Sequence, residues 1–112
     1  MLVILPLPPS INATYKTGNG NFYKSKVARE WEEAAGWKIK RLKSSYNPTD
    51  RLYMQITFYF QHDRDIDSGI KILLDLFQKM NVYPNDKMVY KLEVKKVMVK
   101  IKPHCEILLE VI

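Results

Sequence analysis

Apolar side chains stand at every second position in the run LYMQITFYF, with Leu52, Met54, Ile56, Phe58 and Phe60 on one side. Successive side chains of an extended chain point to opposite faces, so this alternation predicts a strand with one buried face. Such a face needs a cover, and the flanking sequence offers two amphipathic helices. The first is expected from Ser25, a serine N-cap, to about Ser44, with Val27, Trp31, Ala34, Ala35, Ile39 and Leu42 at helical spacing on one side. Glu30, Glu32 and Glu33 in its first half and Lys38, Lys40, Arg41 and Lys43 in its second broadly complement the helix dipole. The second is expected from Asp67 or Ser68 to about Met80, on a core stripe of Ile70, Leu73, Leu74 and Phe77. Asp67, Lys71 and Asp75 follow at four-residue steps on a separate stripe.

The remaining segments supply strands and turns. LVILPL reads as a short first strand, closed by the prolines of PLPPS, which lack ladder donors. INATYKTGNGNFYKS is turn-rich, a loop or open hairpin with GNG at its tip. NPTD (47–50) makes a turn and NVYPND a loop. MVYKLEVKKVMVKI and CEILLEVI read as two strands joined around KPH. The polar positions of the former switch parity at Lys95 and Lys96, where a β-bulge is expected. The expected fold class is α+β, a single mixed sheet with two helices in the order β-α-β-α-β-β, forming one domain over residues 1–112.

A chain of 112 residues can bury roughly two-thirds of its unfolded surface without metal or disulfide staples. No run approaches the ~20 apolar residues of a membrane span, so no membrane partner is expected. MLVILPLPPS has no basic leader and its apolar run is short; with Cys105 as the sole cysteine, a reducing, cytoplasmic setting is expected. The net charge of +6 is concentrated in KIKRLK and KLEVKKVMVKIK, which suits either an anionic partner such as nucleic acid or a solvated basic surface.

The chemistry sits where the LYMQITFYF strand gives way to RDIDSGIKILLD. Asp65 and Asp67 are two apart, so in extended chain their side chains share one side with alpha-carbons about 6.5–7 Å apart. They can converge on one hard cation; magnesium takes one or two carboxylates, keeps several waters and accepts phosphate oxygens. Lys71, a helical turn after Asp67, is placed to meet a phosphate. A solvated acidic loop satisfies the same residues. Three other readings fail. An EF-hand starting at Asp63, Asp65 and Asp67 lacks its sharp-turn glycine at Ser68 and its bidentate Glu at Leu74. A haloacid-dehalogenase-type nucleophile needs a larger parallel-sheet domain and a different spacing. A zinc site from His62, His104 and Cys105 lacks four-ligand spacing.

Along nearly its full length the sequence resembles the RusA-type Holliday-junction resolvases. The resemblance is carried by LPLPPSINATYK, by YKSKVAREWEE at the first helix, and by a D-x-D-N-x-x-K-x-x-x-D pattern matched by Asp65, Asp67, Lys71 and Asp75. An acid pair ahead of an apolar strand follows at family spacing, here NDKMV. Ser68 stands where the pattern has asparagine, and Asn85 replaces the first acid of the pair.

The resemblance implies that Asp65, Asp67 and Asp86 are catalytic carboxylates binding Mg2+, with Mn2+ as a substitute, and that Lys71 is a catalytic lysine. Arg64 matches a basic position beside the first acid and is expected, with Tyr15, Lys16 and Lys24 of the N-terminal loop and Tyr23 beside them, to contact DNA. Asp75, Ser68 and Asn85 are expected to support the site, Asp75 by pairing with Lys71. It further implies a homodimer that binds four-way junction DNA of the nucleoid and nicks two strands symmetrically. Trp31, Trp37, Tyr53 and Tyr59 are expected in core or dimer packing. The rival expectation is a catalytically silent DNA-binding module, disabled by the departures at Ser68 and Asn85.

Overall fold

The computed structural model describes residues 1–10, 15–18 and 21–112; for 15–18 and 21–24 only the backbone is described. A four-stranded mixed sheet has the order β1 (Leu2–Leu5), β6 (His104–Val111), β4 (Leu52–Phe60), β5 (Val89–Met98). Strands β2 (Tyr15–Gly18) and β3 (Asn21–Lys24) pair separately as an antiparallel hairpin. Helix α1 spans Lys26–Leu42 and α2 spans Ile70–Lys79. This is the expected α+β fold, with the helices and main-sheet strands in the order β-α-β-α-β-β.

The core lies between the helices and one face of the sheet. Leu52, Met54, Ile56, Phe58 and Phe60 are all fully buried, facing Trp31, Ala35 and Ile39 of α1 and Leu73, Leu76 and Phe77 of α2. The Phe58 and Phe60 rings stack 5.4 Å apart. Truncating either to alanine would cost about 3–5 kcal/mol, because the closed layer cannot collapse into the void. On the opposite face Tyr53, Gln55, Thr57 and Tyr59 are half-buried, and the Tyr59 ring stacks on His104.

Four local expectations shift. The first strand stops at Leu5, before Pro6. Ser25 caps α1 as expected, its Oγ accepting from the Ala28 amide at 3.1 Å, and Lys43 closes the helix in the left-handed region. The buried stripe of α1 is Ala28, Trp31, Ala35, Gly36 and Ile39, while Val27, Ala34 and Leu42 are exposed. Steps of three and four from Ala28 define that stripe, and Val27 and Ala34 fall about one residue's rotation to its side. Trp37, expected in core or dimer packing, is 61% exposed and so lies outside the core. The acids of α1 lie beyond its first turn, so only Lys40 and Arg41 in the last turn complement the dipole.

Strand β5 runs parallel to β4, so α2 is the crossover between them. Its bulge lies at Tyr90: Leu52 faces Val89, Tyr53 faces Lys91, and the register is unbroken through Lys95 and Lys96. Lys96 pairs with Phe58 and shares its face of the sheet. The parity switch therefore has another cause. Beside one neighbour only, an edge strand tolerates a lysine on the core side where its ammonium reaches past the apolar layer.

Candidate active site

Helix α2 begins at Ile70, later than the Asp67 or Ser68 its periodicity suggests. Ser68 N donates to Asp65 O at 3.0 Å and Ile70 N to Asp67 O at 3.3 Å, so the acids ride on tight turns ahead of the helix. Gly69 precedes the first helical residue at φ +96°, a conformation that side chains rarely adopt. A Cβ there would lie 2.6 Å from Pro8 Cγ. The PLPPS segment is thus packed against the helix start.

Arg64 fastens the same loop from within. Its Nη2 donates to Pro8 O and to Ser68 Oγ, both at 2.9 Å, and its guanidinium lies 4.9 Å from the Phe60 ring centroid. Burial lowers its pKa from the ordinary arginine value, and its Nε is buried without a partner. Lys96 of β5 closes the third side, donating to Asp63 Oδ1 at 2.8 Å and Arg64 O at 3.1 Å. The hydrogen bond from Lys96, reinforced by its charge, holds the Asp63 carboxyl below its ordinary range. Asp65 and Asp67 are left exposed, and among the described residues no ion pair involves either. Two carboxylates on a fastened backbone with no cation of their own are ready to meet one.

Asp86 stands elsewhere. It opens a single 3-10 turn, Asp86–Met88, that leads into β5. Since Val89 faces Leu52, this turn lies by the beginning of β4, whereas Asp65 and Asp67 follow its end. Asp86 therefore enters β5 beside the beginning of β4 and not beside its end. A parallel partner reached by a crossover helix starts where the first strand starts.

Lys71 bridges part of the interval. Its Nζ lies 2.9 Å from Asp75 Oδ1 and 3.1 Å from Asp86 Oδ2. Hydrogen bonds to Asp75 and then Asp86 raise the Lys71 pKa above its ordinary value. The expected Lys71–Asp75 pairing is present; Asp67, outside the helix, takes no part in it. Asn85 Oδ1 accepts from Lys87 N at 2.9 Å, and Gln78 Oε1 accepts from Asp86 N at 3.1 Å. Tyr83, whose hydroxyl donates to Leu74 O at 2.8 Å, anchors the approach; burial raises its pKa.

The donor chemistry of Asp65 and Asp67 fits a hard divalent cation, which binds through one or two carboxylates and completes its shell with water. The described residues contain no group of three His, Cys, Asp or Glu side chains that could hold a metal ion. Asp86 is thus not gathered with Asp65 and Asp67. The side chains of Tyr15, Lys16, Tyr23 and Lys24 lie outside the described residues.

Residues 6–110 match the family model described as Endodeoxyribonuclease RusA. The chain belongs to the RusA family. It is 28% identical over 109 residues to the Crossover junction endodeoxyribonuclease RusA of Aquifex aeolicus (strain VF5), an alignment covering 88% of this chain and 86% of that protein. As a RusA family member it is an endodeoxyribonuclease, and both acid-bearing turns fall inside the matched span. No helix among the described residues is long and apolar enough to cross a membrane.

Departures from the RusA pattern have local explanations. Ser68 supplies an acceptor for Arg64, and Asn85 caps the turn holding Asp86 without adding charge. Two supports of the acid loop escaped the sequence reading. Pro8 gave no sign of meeting Gly69, because the contact joins residues far apart in the chain. Lys96 did leave a sign, a lysine at core parity, but without the sheet order nothing named its partner.

Proposed function

We propose that this chain resolves four-way (Holliday) DNA junctions by paired, symmetric nicks, in a reaction that depends on magnesium, with manganese as a substitute. The reading rests on one observation above all: within the span matched to a nuclease family, Asp65 and Asp67 are exposed on a fastened loop with no described cation to satisfy them. The named relative from Aquifex aeolicus supports the junction as substrate.

In this reading Asp65 and Asp67 would hold the metal, with Asp86 as a further ligand once its turn moves toward them and its ion pair with Lys71 opens. The metal, when bound, activates water and neutralises charge on the scissile phosphate. Lys71 can then turn its ammonium to the phosphate, since the side chain is 67% exposed and its exposed pairs are individually weak. Asp75 keeps that ammonium oriented. Arg64 acts through position: its Nη2 donates to both Pro8 O and Ser68 Oγ, so it holds the acid loop. The β2–β3 hairpin, with Tyr15, Lys16 and Lys24, contacts DNA.

Two cuts require two sites, and a homodimer with a two-fold axis suits a substrate of approximate two-fold symmetry. The whole chain acts as one nuclease domain on nucleoid DNA in the cytoplasm.

The deciding experiment is cleavage of a synthetic four-way junction with and without magnesium, with both nicks mapped on a sequencing ladder. Symmetric, magnesium-dependent nicks support the reading. Tight binding without cleavage would identify a silent DNA-binding module instead. Sedimentation showing only a 13.2 kDa species with and without junction DNA would remove the dimer. Asp86→Asn should weaken magnesium binding while DNA binding holds or tightens; wild-type cutting at limiting magnesium would exclude Asp86 as a ligand.

A further inference from the structure

The turn that carries Asp86 has a second side. Through Asn85, Lys87 and Met88 it borders a groove of about 490 Å3 at the beginning of β4 and β5, also walled by Pro48, Arg51, Pro84 and Tyr90. That volume lies within the range of ordinary ligand sites. We propose that this groove takes a nucleotide of the DNA strand that passes Asp86, with Tyr90 as the stacking platform for its base and Arg51 and Lys87 as its phosphate contacts. The proposal rests on the nuclease reading and adds to it a contact surface beside the Asp86 turn.

Tyr90 is the first observation. It is the extra residue of the β5 bulge, between Val89, which faces Leu52, and Lys91, which faces Tyr53. Bulges re-aim a side chain out of the ladder, and Tyr90 is 64% exposed as a result. An exposed tyrosine beside cations offers the two features that hold unpaired nucleotides, a flat ring for the base and positive charge for the backbone.

The charges are the second. The Arg51 guanidinium lies 5.1 Å from the Tyr90 ring centroid, so it is already stacked rather than spread into solvent. Among the described residues neither Arg51 nor Lys87 belongs to an ion pair. The one acid in the groove, Asp50, instead accepts from the Asn47 amide at 2.9 Å, closing the turn before β4. Two unpaired cations against one acid leave a positive groove.

Continuity with the acid turn is the third. Lys87 follows Asp86 directly, and its amide is pinned to Asn85 Oδ1, so groove and carboxylate are fixed on one short turn. Proline at both walls, Pro48 and Pro84, limits how far the groove can open. In this reading a strand that passes the Asp86 turn presents a neighbouring nucleotide to Tyr90.

The test is binding of fluorescent junction DNA, and of a single-stranded oligonucleotide, to the full chain in EDTA, where cutting plays no part. Tyr90→Ala should weaken junction binding roughly fivefold or more, and Tyr90→Phe should restore it, because stacking needs the ring and not the hydroxyl. The double variant Arg51→Gln and Lys87→Gln should flatten the slope of log affinity against log salt by roughly 0.9 for each cation removed. Thermal melts accompany each variant; should Tyr90→Ala melt early, Tyr90→Leu keeps the apolar bulk and makes the same comparison. Unchanged affinity and unchanged salt slope overturn the groove, even if the chain cuts junctions. Tyr90-dependent binding of polyglutamate with Tyr90-independent binding of DNA also overturns it, in favour of an acidic protein segment. A chain that fails to cut but loses DNA binding with Tyr90→Ala keeps the groove and loses the nuclease reading.

Discussion

At the exit of β4, Asp65 and Asp67 stand on turns whose backbone is fastened by Arg64, Lys96 and the Pro8–Gly69 contact, while their carboxylates meet no described cation. At its entrance, Asp86 stands on a turn held by Asn85 and Gln78, and its carboxylate is already taken by Lys71. The same residue type is thus kept in two electrostatic states. The uncompensated charge of two carboxylates at the exit favours a cation. At the entrance an ammonium relieves the charge, through an exposed pair that is individually weak. The difference teaches that position along β4, more than acidity, separates two carboxylates without a described cation from one already paired with an ammonium.

Breaking the exit chemically should give the largest effect. Asp65→Asn or Asp67→Asn is expected to slow junction cutting by about 100-fold or more, the scale of removing one preorganised electrostatic group. Melting temperature should hold, because neither exposed carboxylate has a described ion pair to lose. Near-normal cutting by both variants would show that the exit acids are merely a solvated loop.

Breaking the exit mechanically comes next. Gly69→Ala forces a side chain into a left-handed position and against Pro8, and should cost about 2–4 kcal/mol in urea unfolding. A loss below about 1 kcal/mol would mean that the PLPPS segment yields easily and does not hold the loop.

At the entrance, Lys71→Met removes the competing ammonium. Magnesium binding without DNA, followed by calorimetry, should tighten by roughly two- to fivefold, the worth of an exposed pair, while cutting slows. Unchanged metal affinity would show that Asp86 is no ligand. The sign of the pH dependence also follows. Because Asp75 and Asp86 raise the Lys71 pKa, the pairing is fully present below the ordinary lysine value of 10.5 and is lost only as pH rises through the raised one. Any change in cutting between about pH 6 and 9 must therefore come from another group.

The smallest effect is expected from Asn85→Ala. Loss of its cap on Lys87 N should cost about 0.5–1 kcal/mol in stability and change cutting by about twofold at most. A defect as large as that of Asp86→Asn would show that the entrance turn, and not only its carboxylate, sets the rate.

Much of this contrast was legible in part. The exit acids announced themselves because two carboxylates two residues apart, straight after an alternating strand, are a local pattern. Lys71 and Asp75 announced their pairing because four-residue spacing on a helix brings side chains together. Asp67 misled for the same reason: its spacing to Lys71 is helical, but Gly69 delays the helix until Ile70. Tyr90 gave no signal at all, since a bulge is a property of two strands and not of one.

The sequence by itself determined the buried face of β4, the existence of both helices, the Ser25 cap and the spacing of the acids. Each follows from side-chain periodicity or from hydrogen bonds between residues a few positions apart, which the chain order dictates. Only the tertiary structure decided that β5 starts beside the start of β4, which sends Asp86 to the entrance and into the reach of Lys71. It also decided that Lys96 fastens Asp63 and Arg64, and that Pro8 meets Gly69. Strand order and register are set by which distant segments bury the most apolar surface together, and local spacing cannot encode that choice.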